Sequence, residues 1–344
     1  MSLGACLKKS CLSLFIAGLV LVSVNISGAQ VLSSIPGVGN LELGSVKVVP
    51  FAQVGYKNIG FSFNLPLSSS VVFDPDRSLA LDLSFRDAGV WVGSIGFDAR
   101  LLSTFFVSLR ADGNATKNIE VFTAENFRYY GNPNPYTWRG SQLQWWDIDG
   151  MAGYDFCKDW SVVAGLRYDK LTVGLRDPVD ATGRPLPITI PLPPPSTASQ
   201  TVSTTGDLTV KTWIPYIGLQ LNTTNYKALL VYSPFASPEV ITPQKLLAVI
   251  RRTSLPVEQE GFVWKFTKTG SFLEGSFEYN MPIRESLQLG LWARGTWTRF
   301  SGDGSWDGNH VADGEGNTYS DSLSATGTLS TYGLSGGVAA SLSF

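Results

Sequence analysis

The stretch "LALDLSFRDAGVWVGSIGF", Leu79 to Phe97, alternates. Its odd positions read Leu79, Leu81, Leu83, Phe85, Asp87, Gly89, Trp91, Gly93, Ile95 and Phe97. Its even positions read Ala80, Asp82, Ser84, Arg86, Ala88, Val90, Val92, Ser94 and Gly96. Side chains on an extended strand point to opposite faces in turn, so this is one apolar face and one mixed face. Only Asp87 interrupts the apolar side. The run exceeds the roughly 9–11 residues that cross a bilayer as a tilted strand.

The same pattern recurs along the chain. Trp146, Ile148, Ala152 and Tyr154 oppose Asp147, Asp149, Met151 and Asp155. Val162, Ala164, Leu166 and Tyr168 oppose Val163, Gly165, Arg167 and Asp169. Leu287, Leu289, Leu291, Ala293 and Trp297 oppose Gln288, Gly290, Trp292, Arg294 and Thr296. At the C-terminus Tyr332, Leu334, Val338, Ala340, Leu342 and Phe344 share one face.

A soluble sandwich and a membrane barrel both alternate in this way; connection lengths separate them. About ten strands are predicted, an even number as is usual for outer-membrane barrels. They run over 46–65, 79–98, 103–124, 141–156, 161–176, 208–221, 226–233, 261–280, 285–300 and 329–344. The connections alternate short and long. "ARLL", "CKDW", "NTTN" and "NMPIRE" are short; 66–78, 125–140, 177–207, 234–260 and 301–328 are long. Short periplasmic turns and long extracellular loops characterise transmembrane antiparallel up-and-down β-barrels, and that is the fold class expected here. Both termini then lie on the periplasmic side.

Composition agrees. Of 344 residues 44% are hydrophobic and only 16% charged, and the net charge of −2 gives no electrostatic footprint for nucleic acid. Lys8 and Lys9 precede an apolar run from Leu12 to Val24, and small residues at Ser27 and Ala29 suit cleavage before Gln30. Residues 1–29 read as a secretory signal and 30–344 as the barrel. Cys157 is then left alone, with no internal disulfide. The final strand ends on Phe344, as in the signal read by the outer-membrane assembly machinery. Outer-membrane lipid, lipopolysaccharide and that machinery are the expected partners, with the protein in the outer membrane of a Gram-negative bacterium.

The order of the pieces resembles the omptins, a family of ten-stranded outer-membrane proteases. "WIPYIGLQL" (Trp213 to Leu221), its short turn and "YKALLVYSP" resemble an omptin hairpin, as do "WWDIDGMAGY" and "VVAGLRYDKLTVGLRD". The resemblance implies a fold. Omptin activity uses two aspartates in the second long loop and an Asp-His pair in the fourth. Here the second loop has Glu125, Arg128 and Tyr129 but no aspartate, and "PFASPEVITPQ" in the fourth has Glu239 but no histidine. No catalytic residue carries over.

Asp147 and Asp149 form a D-x-D pair, and paired carboxylates can serve as acid and base. Their inward phase places them instead in a structural lumen network with Asp82, Arg86, Arg110, Arg167, Asp169, Glu274, Glu278 and Arg294. A narrow barrel fills its interior with side chains, and buried charges there must be paired. His310, among Asp303, Asp307, Asp313 and Glu315, matches no standard calcium loop, so 301–328 reads as a mobile hydrophilic loop with no metal. Phe127, Tyr129, Tyr130, Tyr136 and Trp138 make the second long loop the candidate binding surface for an extracellular ligand. In 234–260, Leu246, Leu247 and Ile250 suit one face of a short helix. No cofactor is expected. The leading functional reading is surface interaction or an envelope role through the long loops. The alternatives are a small-solute channel and a divergent outer-membrane protease or other surface enzyme.

Overall fold

The computed structural model describes residues 47–67, 79–101, 103–115, 137–179, 188–191, 199–202, 206–242, 262–266, 269–284, 286–312 and 318–342. The strands are β1 (Lys47–Leu67), β2 (Leu79–Arg100), β3 (Phe105–Asn114), β4 (Thr137–Asp155) and β5 (Trp160–Val179), then β6 (Ile188–Pro191) and β7 (Ser199–Val202). They continue with β8 (Gly206–Asn222), β9 (Tyr226–Thr242), β10 (Phe262–Phe266), β11 (Gly270–Pro282), β12 (Leu287–Ala312) and β13 (Thr318–Leu342). Each long strand pairs antiparallel with the next, and β13 returns to β1, with Phe51 opposite Ser341 and Asn64 opposite Thr328. The sheet therefore closes and leaves no edge along those ladders. β10 lies between β9 and β12 beyond the end of β11, so the two are one interrupted stave. Among the described residues the barrel has ten staves, and β6 pairs with β7 as a separate hairpin.

The turns after β2, β4, β8 and β11 are tight. Leu101 N donates to Phe105 O at 3.0 Å, Thr223 N to Tyr226 O at 2.9 Å and Ile283 N to Leu287 O at 2.9 Å. The long connections all leave from the other end.

The outer surface carries aromatic residues at two heights. Tyr154, Phe156, Trp160, Tyr226 and Tyr279 ring the short-turn end, all exposed. Tyr56, Trp91, Trp213, Phe235, Trp297 and Tyr332 form a second exposed ring further along the staves. Trp146 and Tyr168 belong to that ring, and Tyr168 packs on Trp213 with centroids 4.7 Å apart. Trp146 and Tyr154, and likewise Trp160 and Tyr168, stand about eight residues apart. On tilted strands that is roughly 20 Å of height. Ile148, Leu166, Ile217, Leu230, Leu291 and Leu334 cover the band between, exposed to the outside. An apolar band between aromatic girdles is the lipid-facing surface of a membrane barrel.

Several staves run well past the second ring. Inside that extension the polarity reverses. Ile59, Phe61, Phe63, Phe85, Leu143, Val173, Leu208, Val240, Trp264, Phe300 and Leu329 all point inward and are buried.

The structure alters four details of the sequence reading. The alternation from Leu79 to Phe97 is broken by a bulge: Ile59 pairs with Ala88 and Phe61 with Phe85, so Arg86 and Asp87 together face Gly60. Phe85 is consequently inside, stacked on Phe61 at 5.5 Å, rather than on the lipid face. The bulge also removes the phasing that put Asp82 and Arg86 on the inner face; their side chains lie outside the described set. The supposed loop at 301–328 is largely strand, paired from Ser301 opposite Thr328 to Ala312 opposite Thr318. β9 continues to Thr242 through a bulge at Pro234 and Phe235, where a proline removes no ladder bond. The proline-rich segment from Arg184 contributes Ile188–Pro191 to the hairpin with β7. The signal segment, the helix suggested near Leu246, the residues Phe127, Tyr129, Tyr130 and Tyr136, and Phe344 lie outside the described residues. Trp138 is in β4, its side chain not described.

Candidate functional site

The inward residues of the girdle-bounded part meet in one layer. Register puts Asp112 of β3 opposite Asp147 of β4, and Asp147 opposite Asp169 of β5. Three carboxylates side by side on adjacent strands repel one another. Cations answer them within the ladder and across the lumen. Arg167 bonds Asp147 at 2.5 Å and also bonds Glu274, with Asp169 at 3.9 Å. Arg294, from β12, reaches Asp112 at 2.5 Å and Glu274 at 3.5 Å. Arg110 contacts Asp112 at 3.1 Å, Asp149 at 3.0 Å and Glu274 at 3.6 Å. Tyr216 donates its hydroxyl to Asp149 at 2.6 Å. Lys57 lies over the Trp145 ring, whose Nε1 donates to Asp169 at 2.9 Å.

Glycine makes part of this geometry. A Cβ on Gly165 would run into the Tyr216 ring and hydroxyl, and would lie 2.6 Å from the Gly150 carbonyl oxygen. The bare backbone lets the tyrosine cross β5 to Asp149 on β4.

Of the residues assigned to the lumen from the sequence, Arg110, Asp147, Asp149, Arg167, Asp169, Glu274 and Arg294 come together here. Glu278 stands apart, accepting a hydrogen bond from Gln53 at 3.0 Å. The sequence reading missed Asp112, Lys57, Gln53 and Tyr216. Asp112 was within reach, because it continues the phase of Phe106, Ser108 and Arg110. Tyr216 was hidden inside the apolar-looking "WIPYIGLQL".

Asp147 is fully buried and Asp149 is 8% exposed, both in the ion-pair layer. Acid–base work by such a pair would have to break charge-assisted bonds first. Among the described residues no group of three or more ligating side chains is arranged for a metal. Glu239 lies on β9 between the inward residues Pro238 and Val240, so it points outward, 3.6 Å from Lys211. It does not face the lumen.

No protein-family model matches the chain. No curated protein matches it either. Among solved structures it is similar to the outer membrane protease OmpT from Escherichia coli, with TM-score 0.57 and 12% identity over 88% of this chain and 99% of that one. A FadL homologue from Pseudomonas aeruginosa aligns at TM-score 0.35 and 9% identity, covering 86% of this chain and 90% of its own. The translocator domain of the autotransporter NalP from Neisseria meningitidis aligns at TM-score 0.34 and 9% identity, covering 96% and 97%. At such identities the likeness to OmpT is one of fold. The chain is an antiparallel β-barrel with an outer-membrane fold similar to that of the omptin protease OmpT.

Proposed function

We propose that this protein is a sealed outer-membrane barrel that holds its long connections at the cell surface for interaction or envelope structure. The observation that carries this reading is a lumen closed off at two levels. An ion-pair layer lies across the membrane-level part, and an apolar core fills the extension beyond it. Water and ions need a continuous polar path, and a dry apolar plug denies it. The short-turn end faces the periplasm and the long connections face outward, following the habit of outer-membrane barrels. The aromatic segment containing Phe127, Tyr129, Tyr130, Tyr136 and Trp138 is the first surface to mutate for a lost ligand. Lys170 and Lys211 sit directly opposite each other on the outer face beside the second aromatic ring. Glu239 answers Lys211, and lipopolysaccharide phosphate supplies an anionic neighbour for Lys170. Omptin-type proteolysis is not part of this reading, because Glu239 is turned away from the lumen toward Lys211.

The test is planar-bilayer conductance of the refolded full chain, with dibasic peptides incubated in parallel. A sealed barrel gives no stable conductance steps and no cleavage. Steady open-channel steps overturn the sealed-lumen reading. Cleavage that disappears in Glu125→Gln or Glu239→Gln restores a divergent protease.

A further inference from the structure

At the short-turn end the lumen is not filled. A cavity of about 370 Å³ opens between the rim and the ion-pair layer. That volume is at the lower end for small-molecule sites. Arg110, Asp149 and Arg294 reach its floor and are already engaged in ion pairs. Nearer the rim, Lys227 holds Asp98 at 2.9 Å and Arg100 holds Asp155 at 2.6 Å. Acceptors are left over, the second oxygen of Asp98 among them. Glu278 lines the cavity, accepts from Gln53 Nε2, and has no ion-pair partner among the described residues. Gln53 and Gln220 also line it, from opposite staves of the ring. They are 6% and 2% exposed, and the side-chain oxygen of each lacks a hydrogen-bond partner. Both oxygens are covered by neighbouring atoms; Gln53 cannot turn its oxygen without giving up its Nε2 bond to Glu278, whereas rotation of the terminal amide of Gln220 turns its oxygen into the cavity.

We infer that this cavity binds a small aliphatic amine. Its ammonium donates to Glu278 and to the Gln220 oxygen, and its methylenes lie against Phe106, Met151 and Leu229. A buried acceptor without a donor is costly, and a carboxylate facing a cavity calls for a counter-charge. Water can donate to the amides but brings no charge to Glu278. Among the described residues an anion finds Arg100, Arg110, Lys227 and Arg294 already paired and meets Lys47 alone at the rim, and an apolar molecule leaves these acceptors unanswered. In the orientation proposed above, the site opens to the periplasm. The chemistry of the site does not depend on that orientation.

The experiment is calorimetric titration of the detergent-refolded full chain with pentylamine, and with pentanoate as the probe of opposite charge. Saturable binding of pentylamine and none of pentanoate is the expected result. Glu278→Gln should weaken pentylamine at least about tenfold and Gln220→Leu about threefold, each checked for folding by heat-modifiable gel mobility. Neither residue belongs to the ion-pair layer, so both variants should fold. A wild-type readout stands beside them: the side-chain amide resonances of Gln53 and Gln220 should shift on adding pentylamine. Absence of saturable heat, binding of pentanoate in preference, or an unchanged affinity in Glu278→Gln overturns the inference.

Discussion

Below the second aromatic ring and above it, one barrel wall obeys opposite rules. Below, Leu334, Leu291 and Ile217 face out, while Asp147, Arg167 and Glu274 face in. Above, Phe63, Leu329 and Trp264 face in, while Thr328, Ser301, Asp303 and Glu239 face out. The backbone ladder continues across the boundary; β13 passes from Leu334 to Thr328 still paired to β1 and β12. What changes is the solvent outside. Lipid rewards apolar outward residues and leaves polar ones to the lumen, whereas water reverses that preference. The lower part therefore depends on paired charges and the upper part on an ordinary hydrophobic core.

The sharpest way to break this contrast is to put a charge into the upper core. Leu329→Asp buries a carboxylate among apolar residues with no cation of the ion-pair layer beside it, and should abolish folding. The heat-modifiable band on a gel should vanish. Ser335→Asp, the inward position on the same strand at the charged level, should still yield folded protein.

Arg167→Met tests the lower part. It leaves Asp147 and Glu274 each short of a partner, and breaking a buried ion pair from one side costs about 3–5 kcal/mol. A fall in the denaturant midpoint of the refolded barrel measures it. The outer surface gives the next effect. Leu334→Arg should cost about 2 kcal/mol, as for a cation on the lipid face between the girdle at Tyr332 and the midplane. Thr328→Arg, outward on the same strand above the ring, should stay within about 0.5 kcal/mol of wild type. Equal costs for the two would erase the boundary. The mildest of the expected losses is Tyr216→Phe, which removes one hydrogen bond to Asp149 and should cost about 1.5 kcal/mol.

The staves were legible because period-two alternation survives lipid on one side and charge on the other. The bulge at Arg86 and Asp87 was not, since a one-residue slip reverses phase without changing composition. The upper extension was hidden by its glycines. "SGDGSWDG" looks like a loop, yet Gly302 and Gly304 face inward, and a Cβ on Gly304 would collide with the Trp264 indole. The small residue on β12 makes room for the large one on β10. That complementarity joins residues far apart in sequence and has no local signature. The ion layer was legible residue by residue through phase, but its partners were not, because Arg294 reaches Asp112 across the lumen.

The most direct measurement is an accessibility scan with nitroxide labels on single cysteines in a Cys6→Ser, Cys11→Ser and Cys157→Ser background, placed at Leu291, Leu334, Ser301 and Thr328 in bilayers. Opposed polarity gives oxygen-rich, nickel-poor relaxation at Leu291 and Leu334, and the reverse at Ser301 and Thr328. Lipid-type relaxation at all four would contradict it and extend the membrane-facing surface over the upper half.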